Sequence, residues 1–193
     1  MTSPAPVLHL LAGPNGAGKT TFYERVLAPA TNLDFVNADR IAEALWPGEA
    51  LVHAHKASMH AAAVREQLIA NRTSFITETV FSHPSKVELV RQAVDAGYLV
   101  YLHVMMIPVE LAVVRVAERA AEGGHDVPEG KIRQRHARLW RHVAEAIADV
   151  YDATVYDSSG GRFVPVARFR FGTVVEAPRW PTWTPQELRT AGS

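Results

Sequence analysis

Cysteine is absent from the 193-residue chain, which excludes disulfides, thiolate nucleophiles and Cys-ligated zinc together. Charge imbalance is absent as well. Lys+Arg and Asp+Glu stand at 20 each, so no global basic field draws the chain to nucleic acid or acidic lipid. No apolar run approaches the roughly 20 residues that cross a bilayer. The first six residues, Met-Thr-Ser-Pro-Ala-Pro, lack the charged and apolar stretches of a secretory signal. A soluble, cytoplasmic protein with neither membrane nor nucleic-acid partner is the expectation. No internal repeat or linker is visible, so residues 1–193 read as one domain, with 1–6 and about 177–193 as peripheral tails. Apolar residues at 48% supply a substantial core.

What is present is concentrated at one end. Gly13, Pro14, Asn15, Gly16, Ala17, Gly18, Lys19 and Thr20 complete a G-x-x-x-x-G-K-[ST] phosphate loop, followed by Thr21, directly after the apolar run Val7–Ala12. Glycines let the backbone turn so that successive N–H groups point at an anion. Lys19 can reach β- and γ-phosphates, the Thr20 hydroxyl can ligate Mg²⁺, and the helix that starts here presents its positive end. These residues predict a bound nucleoside triphosphate.

Strand-like and helical runs then alternate, the signature of an α/β fold: a parallel sheet with crossover helices on both faces. Strands are expected at 7–12, 33–37, 74–78, 98–107 and 151–156, with 98–107 the most buried because its polar alternation is lost. Helices are expected at 19–27 (stopped by Pro29), from Arg40 to Pro47, 49–71, 84–96, 109–122 and 129–150. Phe163–Phe171 reads as a C-terminal antiparallel edge strand. The Pro-rich tail beyond it is a poorly ordered appendage or a short docked segment, and Trp180 and Trp183 would cover an apolar patch. Met59, Met105 and Met106 read as core. His53, His55 and His60 do not share a helix face in the way a metal site needs.

Ligands of open α/β sheets sit at the carboxyl ends of the strands. Two strands end there in acids: Asp39 follows the second and Glu78 closes the third, beside Thr79. Asp39 suits the base that accepts a proton from an attacking hydroxyl, and Glu78 suits holding the acceptor or ordering the metal. The plainer alternative is that either acid caps the next helix. The longest strand ends without an acid and no guanine-reading Asn/Thr-Lys-x-Asp occurs, which argues against motor ATPases and GTPases. Arg115 and Arg119 on one helix, and Arg133, Arg135 and Arg138 on the next, flank a Gly123-Gly124 turn. They read as a lid whose guanidinium forks stabilise a transferring phosphoryl group, against the alternative of a solvated face that suits Lys131 and Arg141.

The succession GPNGAGKTT (13–21), NAD (37–39), ETVFS (78–82), RVAERAAEGGHDVP (115–128), IRQRHAR (132–138) and YDSSG (156–160) resembles the zeta-toxin family of P-loop kinases. The resemblance implies a nucleoside-kinase-like fold with a helical lid, ATP and Mg²⁺ as cofactors, and a UDP-N-acetyl sugar as the small acceptor. It also implies a small antitoxin protein as a partner. Carried over by position, Lys19 and Thr20 hold phosphates and metal, Asp39 is the base, and Glu78 and Thr79 contact the acceptor. Arg119 and one of Arg133 or Arg135 stabilise the phosphoryl group. Val80 replaces a threonine common in the family, and Leu139 and His142 depart from its pattern after the lid. Two other readings remain: a nucleoside, nucleotide or polynucleotide 5′-hydroxyl kinase, and a non-catalytic nucleotide-binding module.

Overall fold

A computed structural model describes residues 4–124 and 127–192. β1 (Val7–Ala12) feeds α1 (Lys19–Phe22), which widens into one π-helical turn (Tyr23–Leu27) and continues as α2 (Ala28–Thr31). The helix therefore does not stop at Pro29, as its ring predicts. Proline removes one N–H and crowds the carbonyl four residues back, and the wide turn immediately before it absorbs that misfit. The chain leaves the helix at Asn32, in the left-handed conformation that ends many helices.

β2 (Asp34–Val36) leads into α3 (Ala38–Leu45), and α4 (Ala54–Ala70) starts after irregular turns where continuous helix from Glu49 is predicted. β3 (Phe75–Thr79), α5 (Ser85–Asp95), β4 (Leu99–Met106), α6 (Val109–Ala121), α7 (Glu129–Asp149) and β5 (Asp152–Asp157) follow within a residue or two of expectation. The turn expected at 123–128 contains His125 and Asp126, which lie outside the described residues.

The sheet order is β2-β3-β1-β4-β5, all parallel, continued antiparallel by β6 (Val164–Arg170) and β7 (Thr173–Val174). The predicted antiparallel strand is β6, and the two-residue β7 takes the outer edge. Phe171 and Gly172 join them with positive φ at both positions, the backbone a tight two-residue hairpin requires. Pro165 sits at an irregularity in the β5–β6 register, where its missing N–H disrupts no regular ladder.

One sheet face packs Leu8, Leu10, Phe75, Val100, Leu102 and Val104 against Ala61, Val90, Leu139 and Ile147 from α4, α5 and α7. The other face packs Leu11, Ile76 and Met105 against Phe22, Ala112, Val116 and Ile132. β4 is covered on both faces only in its C-terminal half. Upstream, half-buried Tyr101 and His103 alternate with buried Val100 and Leu102, and His103 lies with a ring nitrogen 3.0 Å from one of His9. Burial, with the neighbouring His9 second, pushes the His103 imidazole down to about 3.

Met105 and Met106 are core, but Met59 is not. It is 61% exposed, because α4 turns its Ala57–Ala61–Arg65 line inward, at four-residue spacing. The tail docks: α8 (Gln186–Arg189) buries Leu188 in the α7-side core, and Trp180 and Trp183 pack against the same cluster. The Arg189 guanidinium donates to the carbonyls of Pro181, Thr182 and Thr184 and holds the segment in shape. Leu188→Ala should cost about 2–5 kcal/mol in urea unfolding, the range for emptying a buried leucine site. A midpoint equal to that of the unaltered chain would show that the tail does not contribute to the core.

Candidate active site

The phosphate loop spans the turn from β1 to α1 at the carboxyl edge of the sheet. Gly13 passes β4 so closely that a Cβ would lie 2.3 Å from the Met105 carbonyl oxygen. Gly18 stands before α1 at φ 84°, a region that side chains other than glycine rarely adopt.

The loop's carbonyls are tied by side chains, two of them from outside the loop. Lys19 Nζ donates to the oxygens of Gly13 and Pro14, each at 3.0 Å. Ser158 Oγ, at the end of β5, donates to the Ala17 oxygen at 3.0 Å. The Arg115 guanidinium donates to Gly16 O and to the carbonyls of Ser158 and Ser159. With these carbonyls bonded to side chains, the N–H groups of Asn15, Gly16, Gly18, Lys19 and Thr20 donate to no protein atom among the described residues. A row of uncommitted N–H groups at a helix start is an anion cradle.

That cradle forms one wall of a cleft of about 560 Å³. The other walls come from Asp39 on α3, Ser58 and Arg65 on α4, Glu78 and Thr79 at the end of β3, and Ser82, His83 and Lys86 around the start of α5. Arg115 and Arg119 on α6 and Arg135 on α7 complete it. Thr21 also lines it, while Gly13, Pro14 and Ala17 shape the loop from behind.

Glu78 and Asp39 are not helix caps. Asn37 caps α3, its side-chain oxygen accepting the Arg40 N–H at 2.9 Å, and this leaves Asp39 exposed on the cleft wall. Glu78 Oε2 accepts the Thr20 hydroxyl at 3.0 Å, so the third strand's acid sits against the start of α1. Thr79 Oγ1 accepts the Phe81 N–H at 3.2 Å, holding the chain where it turns through Phe81 at φ 66°.

Burial pushes the Lys19 ammonium below its ordinary value, and the Glu78 and Asp39 carboxylates pull it back up. Burial likewise pushes the Glu78 carboxyl up, while Lys19 and the Thr20 hydrogen bond pull it down and Asp39 pushes it further up. Lys19 and Glu78 therefore share one desolvated corner, with the more exposed Asp39 beside it.

The arginines divide. Arg119 and Arg135 line the cleft. Arg115 is committed to the loop and to the end of β5. Arg138 is exposed on α7 outside the cleft. Arg133 is not brought in: both its terminal nitrogens bond Glu110 at 2.6 Å and Nε bonds Glu129 at 2.8 Å. At helical spacing Arg133 and Arg135 point about 160° apart, so one faces the site and the other clasps α6 to α7. Sequence reasoning missed Arg65 and Lys86, which stand outside every motif. It also missed the Asn37 cap and the part played by Ser158, whose Asp-Ser-Ser-Gly setting was the available signal.

The zeta toxin family model matches residues 1–164, and the chain belongs to that family. Solved structures of similar fold include the AvrRxo1-ORF1:AvrRxo1-ORF2 complex with sulphate ions, at TM-score 0.71 and 18% identity over 88% of this chain. The same complex with ATP gives 0.70. The PezAT chromosomal toxin–antitoxin system of Streptococcus pneumoniae matches at 0.60 and 16% identity, covering 81% of this chain and 70% of that one. A putative kinase from Chloroflexus aurantiacus matches at 0.57 and 19%, covering 70% and 80%. The chain spans only 60% of the length of the AvrRxo1-ORF1 complex component it matches. No curated protein matches it. No helix among the described residues is long and apolar enough to cross a membrane.

Because the Glu78 pKa is raised, the folded chain keeps a proton there that the unfolded chain releases. That stabilisation is complete below the ordinary glutamate range and is lost as pH rises through the folded value. The melting temperature of the ligand-free chain minus that of Glu78→Gln should therefore fall as pH rises above the ordinary glutamate range. A flat or rising difference would contradict burial as the dominant influence on Glu78.

Proposed function

We propose that the chain is an ATP-dependent phosphotransferase that moves the γ-phosphate of ATP to a hydroxyl of a small acceptor, with a UDP-N-acetyl sugar as the leading candidate. The observation that carries this reading is the convergence on one cleft of an anion cradle, Lys19, the Thr20–Glu78 pair, an uncapped Asp39 and two arginines from separate helices. A module that merely binds nucleotide needs the cradle but not the rest.

In this reading the cradle N–H groups and Lys19 hold the triphosphate, and Asp39 takes the proton of the acceptor hydroxyl. The hydroxyl oxygen bonds to the γ-phosphorus, and the bond to the β–γ bridging oxygen breaks to leave ADP. Arg119 and Arg135 offset the charge spread over the moving phosphoryl group. The Thr20 hydroxyl and Glu78 carboxylate are hard oxygen donors at the loop. They suit Mg²⁺, which binds through one or two protein oxygens plus phosphates rather than in an all-protein cage. Among the described residues no cluster of three metal-binding side chains exists, in keeping with that mode. When bound, Mg²⁺ would neutralise charge on the β- and γ-phosphates. Glu78 then orders the metal side, and Thr79 is left as the nearer acceptor contact. A small antitoxin protein that covers the cleft fits the same reading, supported by the fold shared with the PezAT system.

The test is transfer of label from γ-labelled ATP to a panel of nucleotide sugars, nucleosides and 5′-hydroxyl oligonucleotides. Lys19→Ala should abolish labelling. Asp39→Asn should bind ATP normally and lose about 10²- to 10⁴-fold in kcat, the usual reach of a general base. Near-normal turnover in Asp39→Asn would remove the base assignment. The arginine division gives a second expectation: Arg135→Ala loses at least about a hundredfold in kcat, whereas Arg133→Ala stays within about threefold, since a surface ion pair contributes little. Equal losses would contradict the division.

A further inference from the structure

The donor groups and the candidate base sit on different helices, and one side chain joins those helices. Lys19 and Thr20 open α1, and Tyr23 and Glu24 follow one turn later, at the start of the wide π-helical turn. Asp39 lies in the first turn of α3 with Arg40 next to it. The Arg40 guanidinium donates from one terminal nitrogen to Glu24 Oε1 at 2.9 Å. Its central carbon lies 5.2 Å from the centre of the Tyr23 ring and 5.1 Å from that of Phe35, on β2. Those two rings are stacked, 3.8 Å apart and 11° from parallel.

The backbone of Arg40 is held as well, since its N–H donates to Asn37 Oδ1. Arg40 is thus fixed at both ends, by its main chain in the cap of α3 and by its guanidinium on the donor helix. Arg40 and Glu24 leave 49% and 55% of their side chains in solvent. At that exposure an ion pair, or a cation over a ring, contributes little to the stability of the whole fold. α3 also has its own cap in Asn37 and its own buried residue in Ala42. What these contacts can set is the placement of Asp39, and a misplacement of about an ångström can cost about a hundredfold in rate.

We propose that Arg40 is a positioning residue: it ties the first turn of α3, and Asp39 with it, to the helix that carries Lys19 and Thr20, so that the base keeps its place relative to the donor. The role of Asp39 rests on the phosphotransfer reading, but the tie itself is also tested without turnover. Arg91 serves as the control, an equally exposed arginine outside the cleft that bonds Glu145 and Asp149 at 2.9 and 3.0 Å. Arg40→Ala should lower kcat about tenfold, with KM for ATP within about twofold and the melting temperature within about 4 °C. Arg40→Lys keeps the charge but not the planar fork and should recover part of the loss. Glu24→Gln should lose about threefold alone and nothing further when combined with Arg40→Ala, because both remove the same contact. Arg91→Ala should leave kcat unchanged. In the ligand-free chain, amide hydrogen exchange over residues 37–42 should be faster in Arg40→Ala than in the unaltered chain or in Arg91→Ala.

Unchanged exchange in Arg40→Ala overturns the tie, whether or not any compound is labelled. Where label does reach an acceptor, an unchanged kcat in Arg40→Ala or an equal loss in Arg91→Ala overturns it too. So does a KM for ATP that rises as far as kcat falls, since that marks a general loosening of the site. If exchange quickens in Arg40→Ala alone but no compound is ever labelled, the tie is supported and the kinase reading fails.

Discussion

The site depends on the side chains that bond the phosphate loop's carbonyl oxygens. A tight loop with its carbonyls facing the cleft would repel phosphate. Here Lys19 takes those of Gly13 and Pro14, Arg115 takes that of Gly16, and Ser158 takes that of Ala17. Each tie recruits a different part of the fold: Lys19 from α1, Arg115 from α6, Ser158 from the end of β5. Because β4 lies between β1 and β5, the tie from Ser158 to the loop exists only when three parallel strands are in register. The anion cradle is thus a product of the wider sheet as well as of its own eight residues.

Charge in the cleft is arranged by element. Lys19 and Glu78 are both buried enough to be pushed toward neutrality, and the largest opposing influence on each is the charge of the other. Such mutual dependence makes the corner sensitive to what occupies it: a polyanion relieves Lys19, and a cation at Thr20 and Glu78 relieves Glu78. Asp39 lies more exposed, beside the space an acceptor would enter, because Asn37 has taken the capping duty two residues earlier. Cationic groups then surround the acids from two directions, α6–α7 on one side and α4–α5 on the other.

Much of this was legible in the chain itself. The phosphate loop announces its own geometry, and acids at strand ends can be placed once a parallel sheet is recognised. What could not be read depends on contacts between distant segments. Arg133 and Arg135 are equivalent in composition and differ only in which helix face meets Glu110. Arg65 looks like any charged residue of an Ala-rich helix until that helix is laid against the sheet with the Ala57–Ala61–Arg65 line inward. Met59 misleads for the same reason. The helix running past Pro29 depends on a local widening that no residue preference signals. The docked tail depends on Leu188 finding the α7 side of the core.

The central claim is that one cleft passes a phosphoryl group directly from nucleotide to acceptor. Its most direct test is the stoichiometry of ADP, free phosphate and phosphorylated acceptor measured together in a single reaction. Direct transfer predicts one phosphorylated acceptor for each ADP, with ADP near background when the acceptor is left out. ADP and free phosphate released at the same rate with or without acceptor would contradict it, because the cleft would then deliver the phosphoryl group to water.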